Sequence, residues 1–336
     1  MTQDLGSATL GGGEQMLIKV VECPAEEYAD PLLVFLSHKS DETLRDMKRR
    51  LEGHYAQVSL DRWFLGEVGG QIISQMGYML ARDTLDVGVF GHVYTRPEHR
   101  GKGAASVLMQ ALMDDFNAGP GQALLCGTGS ESAARIYARH GFVPLVASRA
   151  PVGPLAYIKP DFAADFAELQ AIFFGPGHDT RVRPAHMGDR AKVDKVLLQS
   201  DGVAAIADQW HRLPPADTWA NFVTMAQMRD DGCGPLNVLE TDGRHVVGYA
   251  FVFRPEGPEE AGPSVLDFLV HPNYLDQGPA LLRRTLADAR GQGVWPARAQ
   301  VAAGDVRKLE LLRAAGMTEA DEPSPAGPDT IVLAAR

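Results

Sequence analysis

The chain has 336 residues, 45% apolar and 22% charged, the composition of a globular protein with room for two ordinary domains and a core that needs no staples. Its 43 acidic against 32 basic side chains give a net charge of −11, so a nucleic-acid partner is not expected. The apolar runs are too short to cross a bilayer, so no membrane partner is expected either. Cys23, Cys126 and Cys233 lie far apart, with no metal-ligand spacing and no even-numbered framework, which fits a reducing compartment and no metal. Residues 1–14, MTQDLGSATLGGGE, lack the apolar stretch of a signal peptide and read as a flexible leader. A cytoplasmic location is the resulting expectation.

The elements follow in chain order. Gln15–Val21 reads as a strand, and Pro24–Leu36 and Ser40–Gln57 as helices, the second with Ser40 as N-cap. Arg62–Val68 and Gln71–Ala81 alternate as strands around Gly69-Gly70, a hairpin turn. Leu85–Thr95 is a fourth strand, followed by Pro97, two glycines and the helical pattern ASVLMQALMDDF. Gln122–Thr128 is a short buried strand, and Glu131–His140 a helix closed by Gly141. Phe142–Ser148 and Leu155–Lys159 end the first half as strands.

The pattern then recurs. Thr180–Met187 is its first strand, and Asp189–Ser200 and Trp219–Arg229 its helices. Leu236–Thr241 and His245–Arg254 form a hairpin over Asp242-Gly243. Val265–Val270, a helix after His271, Arg298–Ala302, Val306–Ala315 and Thr330–Ala334 complete it, with surface loops at Pro255–Pro263 and Glu322–Asp329. The expected organisation is a leader over 1–14, a catalytic domain over 15–160, a linker over 161–179 and a second copy over 180–336. The fold class is a mixed α/β sheet, present twice.

Chemistry concentrates at Arg96–Ala105. A strand ends at Pro97, and Arg100-Gly101-Lys102-Gly103 then leads into a helix. The first amides of a helix are unpaired and sit at its positive end, and glycines let a phosphate approach the backbone. The spacing is neither that of a P-loop nor that of a dinucleotide fingerprint. Cys126, flanked by ALL and GT, reads as a small buried residue rather than a nucleophile.

Thr95–Ala104, TRPEHRGKGA, resembles motif A of the GNAT acyltransferase superfamily, V-x-P-x-x-R-G-x-G-hydrophobic. Ser130–Phe142, SESAARIYARHGF, resembles its motif B, N-x-x-A-x-x-L-Y-x-x-x-G-F, in the same order and across one strand. Thr95 departs from the commoner valine and Ser130 from asparagine. The strong resemblance covers about residues 60–150.

The resemblance implies an N-acyltransferase with acetyl-CoA as co-substrate and no metal. Val93, Tyr94 and Thr95 would offer backbone groups to the pantetheine arm beside a β-bulge. His99, Arg100, Gly101, Lys102, Gly103, Ala104 and Ala105 would surround the diphosphate, with Ser130 and Ala133 of motif B also at the cofactor. Tyr137 matches the tyrosine that protonates the leaving sulfur. The general base is open among His92, Asp86 and Glu67, while His54 and Tyr55 either line the acceptor pocket or end a helix. The acceptor would be an amine of a small molecule or peptide, a cationic one suiting the acidic chain. Transfer to a carrier-protein thiol, or CoA binding without turnover, is the alternative.

The second copy resembles a degenerate domain of this kind. Leu275 and Asp276 stand where Arg100 and Gly101 stand in the first loop, Pro279 removes an amide, and Leu312 replaces the tyrosine. Chemistry is therefore expected once per chain, in a monomer built as a pseudo-dimer or in a homodimer.

Overall fold

The computed structural model describes residues 1–144, 154–197, 218–254, 264–320 and 330–335. The chain divides into two compact units, Met1–Leu169 and Gln170–Arg336. In the first, eight strands form one sheet: β1 (Thr2–Thr9), β2 (Gln15–Glu22), β3 (Ser59–Val68), β4 (Gln71–Ala81), β5 (Val87–Thr95), β6 (Ala123–Gly127), β7 (Val143–Pro144) and β8 (Pro154–Ile158). Their order is β1-β2-β3-β4-β5-β6-β8-β7, and among these pairs only β5 and β6 run parallel.

Helices cover both faces, which is why β4 is buried along almost its whole length instead of alternating. On one face lies α3 (Ala104–Ala118), whose Leu108, Met109, Leu112, Met113 and Phe116 fall on one stripe and pack against Phe64, Met76, Tyr78 and Phe90. On the other lie α1 (Ala29–Phe35) and α2 (Asp41–Leu51), packed on Trp63, Leu65 and Ile72. Ser40 caps α2 by accepting from the Thr43 amide at 3.3 Å, as its position before two acidic residues predicts. Buried Arg50 ties α2 to β3 through Asp46 at 2.8 Å and Asp61 at 2.6 Å. Motif B begins α4 (Glu131–Arg139).

Two expectations change. Thr2–Thr9 is no loose leader: its backbone pairs antiparallel with β2 from Thr2 opposite Val21 to Thr9 opposite Gln15. The segment is polar because an exposed edge strand needs no apolar face, so its composition resembled that of a loose end. The expected linker over 161–179 contains α5 (Phe166–Phe174), with Phe173 and Phe174 buried. The remainder of the expected strand Phe142–Ser148, the end of Asp189–Ser200 and the loops Pro255–Pro263 and Glu322–Asp329 fall wholly or mainly outside the described residues.

The second unit holds β9 (Thr180–Pro184), β10 (Leu236–Thr241), β11 (Val246–Phe253), β12 (Ser264–Val270), β13 (Ala297–Ala302), β14 (Thr318–Glu319) and β15 (Thr330–Ala335). Their order, β9-β10-β11-β12-β13-β15-β14, repeats that of β2 to β8, again with one parallel pair, β12 and β13.

Candidate functional site

The site begins with a fault in the sheet. Strand β5 pairs with β4 regularly up to Gly91 opposite Gly77, and resumes with Tyr94 opposite Gln75. One extra residue is therefore inserted in β5. His92 takes it up at φ 56°, a left-handed conformation that is costly for a non-glycine residue. The buried Gln75 side chain donates from Nε2 to the His92 carbonyl at 3.1 Å and pins the bulge. On its other side β5 pairs with β6 only through Val87, Gly88 and Val89. Beyond that the two strands part, and among the described residues the β6-facing backbone groups of Phe90–Thr95 have no strand partner.

The parted strands lead to the loop predicted from motif A. Pro97–His99 makes one 3-10 turn, and Gly101 and Gly103 follow at φ 74° and 94°. A Cβ at either would meet nothing within 4 Å, so backbone conformation and not crowding requires glycine there. Gly103 is the N-cap of α3 and no side chain caps that helix. Among the described residues no backbone hydrogen bond takes the amides of Gly101, Lys102 or Gly103. The first-turn amides, including those of Ala104 and Ala105, point out of the helix end. This is an anion cradle made of backbone.

Charge around the loop is divided. Lys102 Nζ donates to Glu14 Oε2 at 2.9 Å, and His99 Nδ1 lies 3.4 Å from the same oxygen. Glu14 belongs to the turn between β1 and β2, where the Gly11 amide also donates to the Lys102 carbonyl at 2.9 Å. Arg100 turns elsewhere: its Nε donates to the Thr95 carbonyl at 2.9 Å and its guanidinium lies over the Tyr94 ring. No sequence signal marked Glu14, because a carboxylate in a glycine-rich turn reads as solvated.

Tyr137, on α4, is 4% exposed and edge-on to Phe90, with ring centroids 5.0 Å apart. Among the described residues its hydroxyl has no hydrogen-bond partner. Burial first, and then neighbouring Cys126, push it well above the ordinary phenol range, so the proton stays on. Cys126 is itself 2% exposed and burial raises its thiol, which leaves it no thiolate to attack with. Ser130 caps α4 by accepting from the Ala133 amide at 3.4 Å.

The base candidates separate. His92, at the bulge, faces Trp63 with ring centroids 5.5 Å apart. Asp86 does not belong to the site. It precedes β5 at the end away from the bulge, and its carboxylate accepts from Thr84 Oγ1 at 2.6 Å and the Val87 amide at 2.7 Å. Alternation along the strand put it on a face with His92 but ignored the length between them. Glu67 is held by Lys19 at 2.7 Å. Tyr55 is buried beside Arg50, while exposed His54 lies 3.6 Å from Glu52. Past the bulge, Tyr94 meets Phe35 at 5.1 Å and His38 at 4.0 Å between ring centroids. His38 was missed because it lies in the connection between α1 and α2, outside both motifs. Gln75 was missed too, although a glutamine inside the apolar run IISQMGYML was a visible signal.

The corresponding place in the second unit is built differently. Strand β12 pairs with β11 without interruption from Gly248 opposite Val270 to Phe253 opposite Val265. Asp267 stands at the spacing before Pro272 that His92 has before Pro97, and Lys308 at the spacing before Leu312 that Ala133 has before Tyr137. Lys308 Nζ donates to Asp267 Oδ1 at 2.5 Å, both buried.

Residues 59–144 match the model of the acetyltransferase (GNAT) domain family. No curated protein matches the chain. Solved structures similar to it include the ribosomal-protein-alanine N-acetyltransferase of Brucella melitensis, at 24% identity and TM-score 0.35, over 46% of this chain and 98% of that one. Another is the spermidine N-acetyltransferase of Vibrio cholerae in complex with CoA and spermine, at 13% identity and TM-score 0.35, over 46% of this chain and 92% of that one. The GNAT domain of the S. lividans protein PAT shares 14% identity at TM-score 0.37, over 46% and 96%.

Proposed function

We propose that this chain, whose residues 59–144 match the acetyltransferase (GNAT) domain model, is an N-acyltransferase that uses acetyl-CoA and works once per chain, in the first unit. One observation carries the reading: a bulged, parted strand runs directly into an uncapped helix start and lies against a buried tyrosine with no bonded partner among the described residues. These parts fit one extended ligand. The amides of Gly101 to Ala105 suit its diphosphate, with Lys102 and His99 beside them and Arg100 turned away over Tyr94. Val93, Tyr94 and Thr95 suit its amide-bearing arm, and Ser130 and Ala133, at the start of α4, are the motif B residues expected beside it. Bound there, acetyl-CoA supplies an activated acyl group as a thioester.

The acceptor amine of a small molecule or peptide attacks the thioester carbon. The amine must first lose a proton, for which His92 is the nearest imidazole to the bulge. The carbon–sulfur bond breaks as the carbon–nitrogen bond forms, and Tyr137 gives its proton to the departing sulfur. Burial holds the hydroxyl above its usual range, so it is protonated at working pH and is available to donate as negative charge develops on the sulfur. The second unit keeps the fold and has lost the site, as a silent copy.

The test is calorimetric titration of the full chain with acetyl-CoA, followed by acetyl transfer to a panel of amines. Binding together with transfer is expected. Absence of binding removes the reading, and binding without transfer to any amine would leave a CoA-binding protein.

A further inference from the structure

The face of β5 opposite α3 carries His92, Tyr94 and Arg96 in turn, and that face meets the connection between α1 and α2. Around the Phe35–Tyr94 ring pair it gathers four basic side chains. The Arg96 guanidinium lies over Phe35 at 5.4 Å and that of Arg100 over Tyr94 at 5.6 Å. The His38 ring lies against Tyr94, and Lys39 is next in the chain. Partial desolvation first, then Lys39 and Arg100, lower the His38 titration, so His38 feels both charges.

Among the described residues none of these four faces a carboxylate. That is unusual in this chain, whose net charge is −11 and whose other cations near the site, Lys102 and His99, share Glu14. Arg96 commits only Nε, to the Ile72 carbonyl at 2.9 Å, which fixes the guanidinium plane and leaves its outer nitrogens for another partner. Fixed, stacked guanidinium groups bind planar or tetrahedral anions well because little rotamer freedom remains to be lost. The anion cradle of the α3 start is a separate feature made of backbone amides, whereas these are side chains of the opposite face.

Resting on the acetyltransferase reading, we propose that the acceptor carries an anionic group, a carboxylate or phosphate, near its amine, and that Arg96 and Lys39 hold it. The bulk acidity of the chain then reflects solubility and not substrate charge. Such an acceptor would enter over Tyr94, with its amine turned toward His92 at the bulge.

The test uses the full chain saturated with CoA, so that the cofactor's own phosphates are already placed. Saturation-transfer NMR compares alanine with ethylamine and phosphoethanolamine with ethanolamine. The anionic member of each pair is expected to bind about tenfold more tightly. Arg96→Gln and Lys39→Gln should each erase the difference while leaving CoA affinity within about twofold. Arg96→Lys, which keeps the charge and loses the plane, should restore part of it. Equal signals within both pairs, or none from any member, would overturn the proposal. So would a loss confined to CoA affinity in the two glutamine variants, which would assign the cations to the cofactor's phosphates. Failure of CoA to saturate the wild-type chain is a separate result and counts against the acetyltransferase reading itself.

Discussion

At Tyr137 two properties that usually compete are reconciled. A buried phenol normally finds a hydrogen-bond acceptor, yet this one has none among the described residues and is packed between Phe90 and Phe142. Its removal should therefore cost little stability and much chemistry. For Tyr137→Phe, kcat is expected to fall about a hundredfold or more, with KM for acetyl-CoA nearly unchanged and stability within about 0.5 kcal/mol. Steady-state kinetics and urea unfolding check the two halves, and equal rates in both proteins would remove the acid role. Gly101 tests the cradle at the same scale. At φ 74° any side chain costs on the order of 1 kcal/mol in backbone strain, and Gly101→Glu adds a carboxylate where a diphosphate is expected. Calorimetry should show binding of acetyl-CoA weakened by about a hundredfold or more. Both residues were legible beforehand, because each belongs to a motif whose residue type the chemistry demands. His92 was legible only as a titratable side chain. Its left-handed backbone was not, because β-bulges are set by pairing with a neighbouring strand and leave no local residue preference as strong as glycine in a turn.

The elements around the site show why the bulge persists. The β5 insertion would relax if nothing held it, and the buried Gln75 amide is the contact that does so from β4. Gln75→Leu keeps the volume and removes the donor. The His92 carbonyl then loses its partner, with an expected cost of about 1 kcal/mol and a rise in KM for acetyl-CoA as the strand straightens. Thermal unfolding and initial rates would read these, and an unchanged KM would show that the bulge needs no pin. Strand β1 was hidden in the sequence, where its partner β2 was not. Edge strands bury little, and the turn's contact with the phosphate loop, Gly11 to Lys102, is backbone to backbone. In the second unit the loop after β12 is closed by packing. His271 stacks on Phe174 with ring centroids 4.6 Å apart and accepts at Nδ1 from the Asn273 amide at 3.1 Å, while the Tyr274 hydroxyl donates to the Gly175 carbonyl. Burial lowers His271 from 6.5 to about 4. Between these values the unfolded chain binds a proton that the folded chain refuses, so stability falls as pH drops below about 6.5 and levels off below about 4. Because the ring is half-exposed the loss should be on the order of 1 kcal/mol. Urea unfolding at the two ends of that window should show it, and His271→Phe should abolish it.

For the whole molecule the question is how often a chain with two like sheets would bind the proposed cofactor. Sequence alone argued for one, from Leu275, Asp276, Pro279 and the missing tyrosine. Geometry adds reasons that side-chain identity could not supply. Strand β12 has no bulge, so its backbone groups stay in register with β11. Buried Lys308 and Asp267 pair at the positions that match Ala133 and His92. A ligand entering there would have to break a desolvated ion pair and leave one charge unpaired, a penalty of about 3–5 kcal/mol when a buried pair loses one partner. That is a factor of about 150 to 5,000 in affinity, enough to leave the second place empty at concentrations that just fill the first. Titration of the full chain with CoA should therefore give one equivalent bound per chain. The Gly101→Glu chain should give none, with no weak residual site appearing as the first is lost. A stoichiometry of two in the wild type, or one surviving in that variant, would show that the second sheet still holds the cofactor and that its Lys308–Asp267 pair opens to admit it.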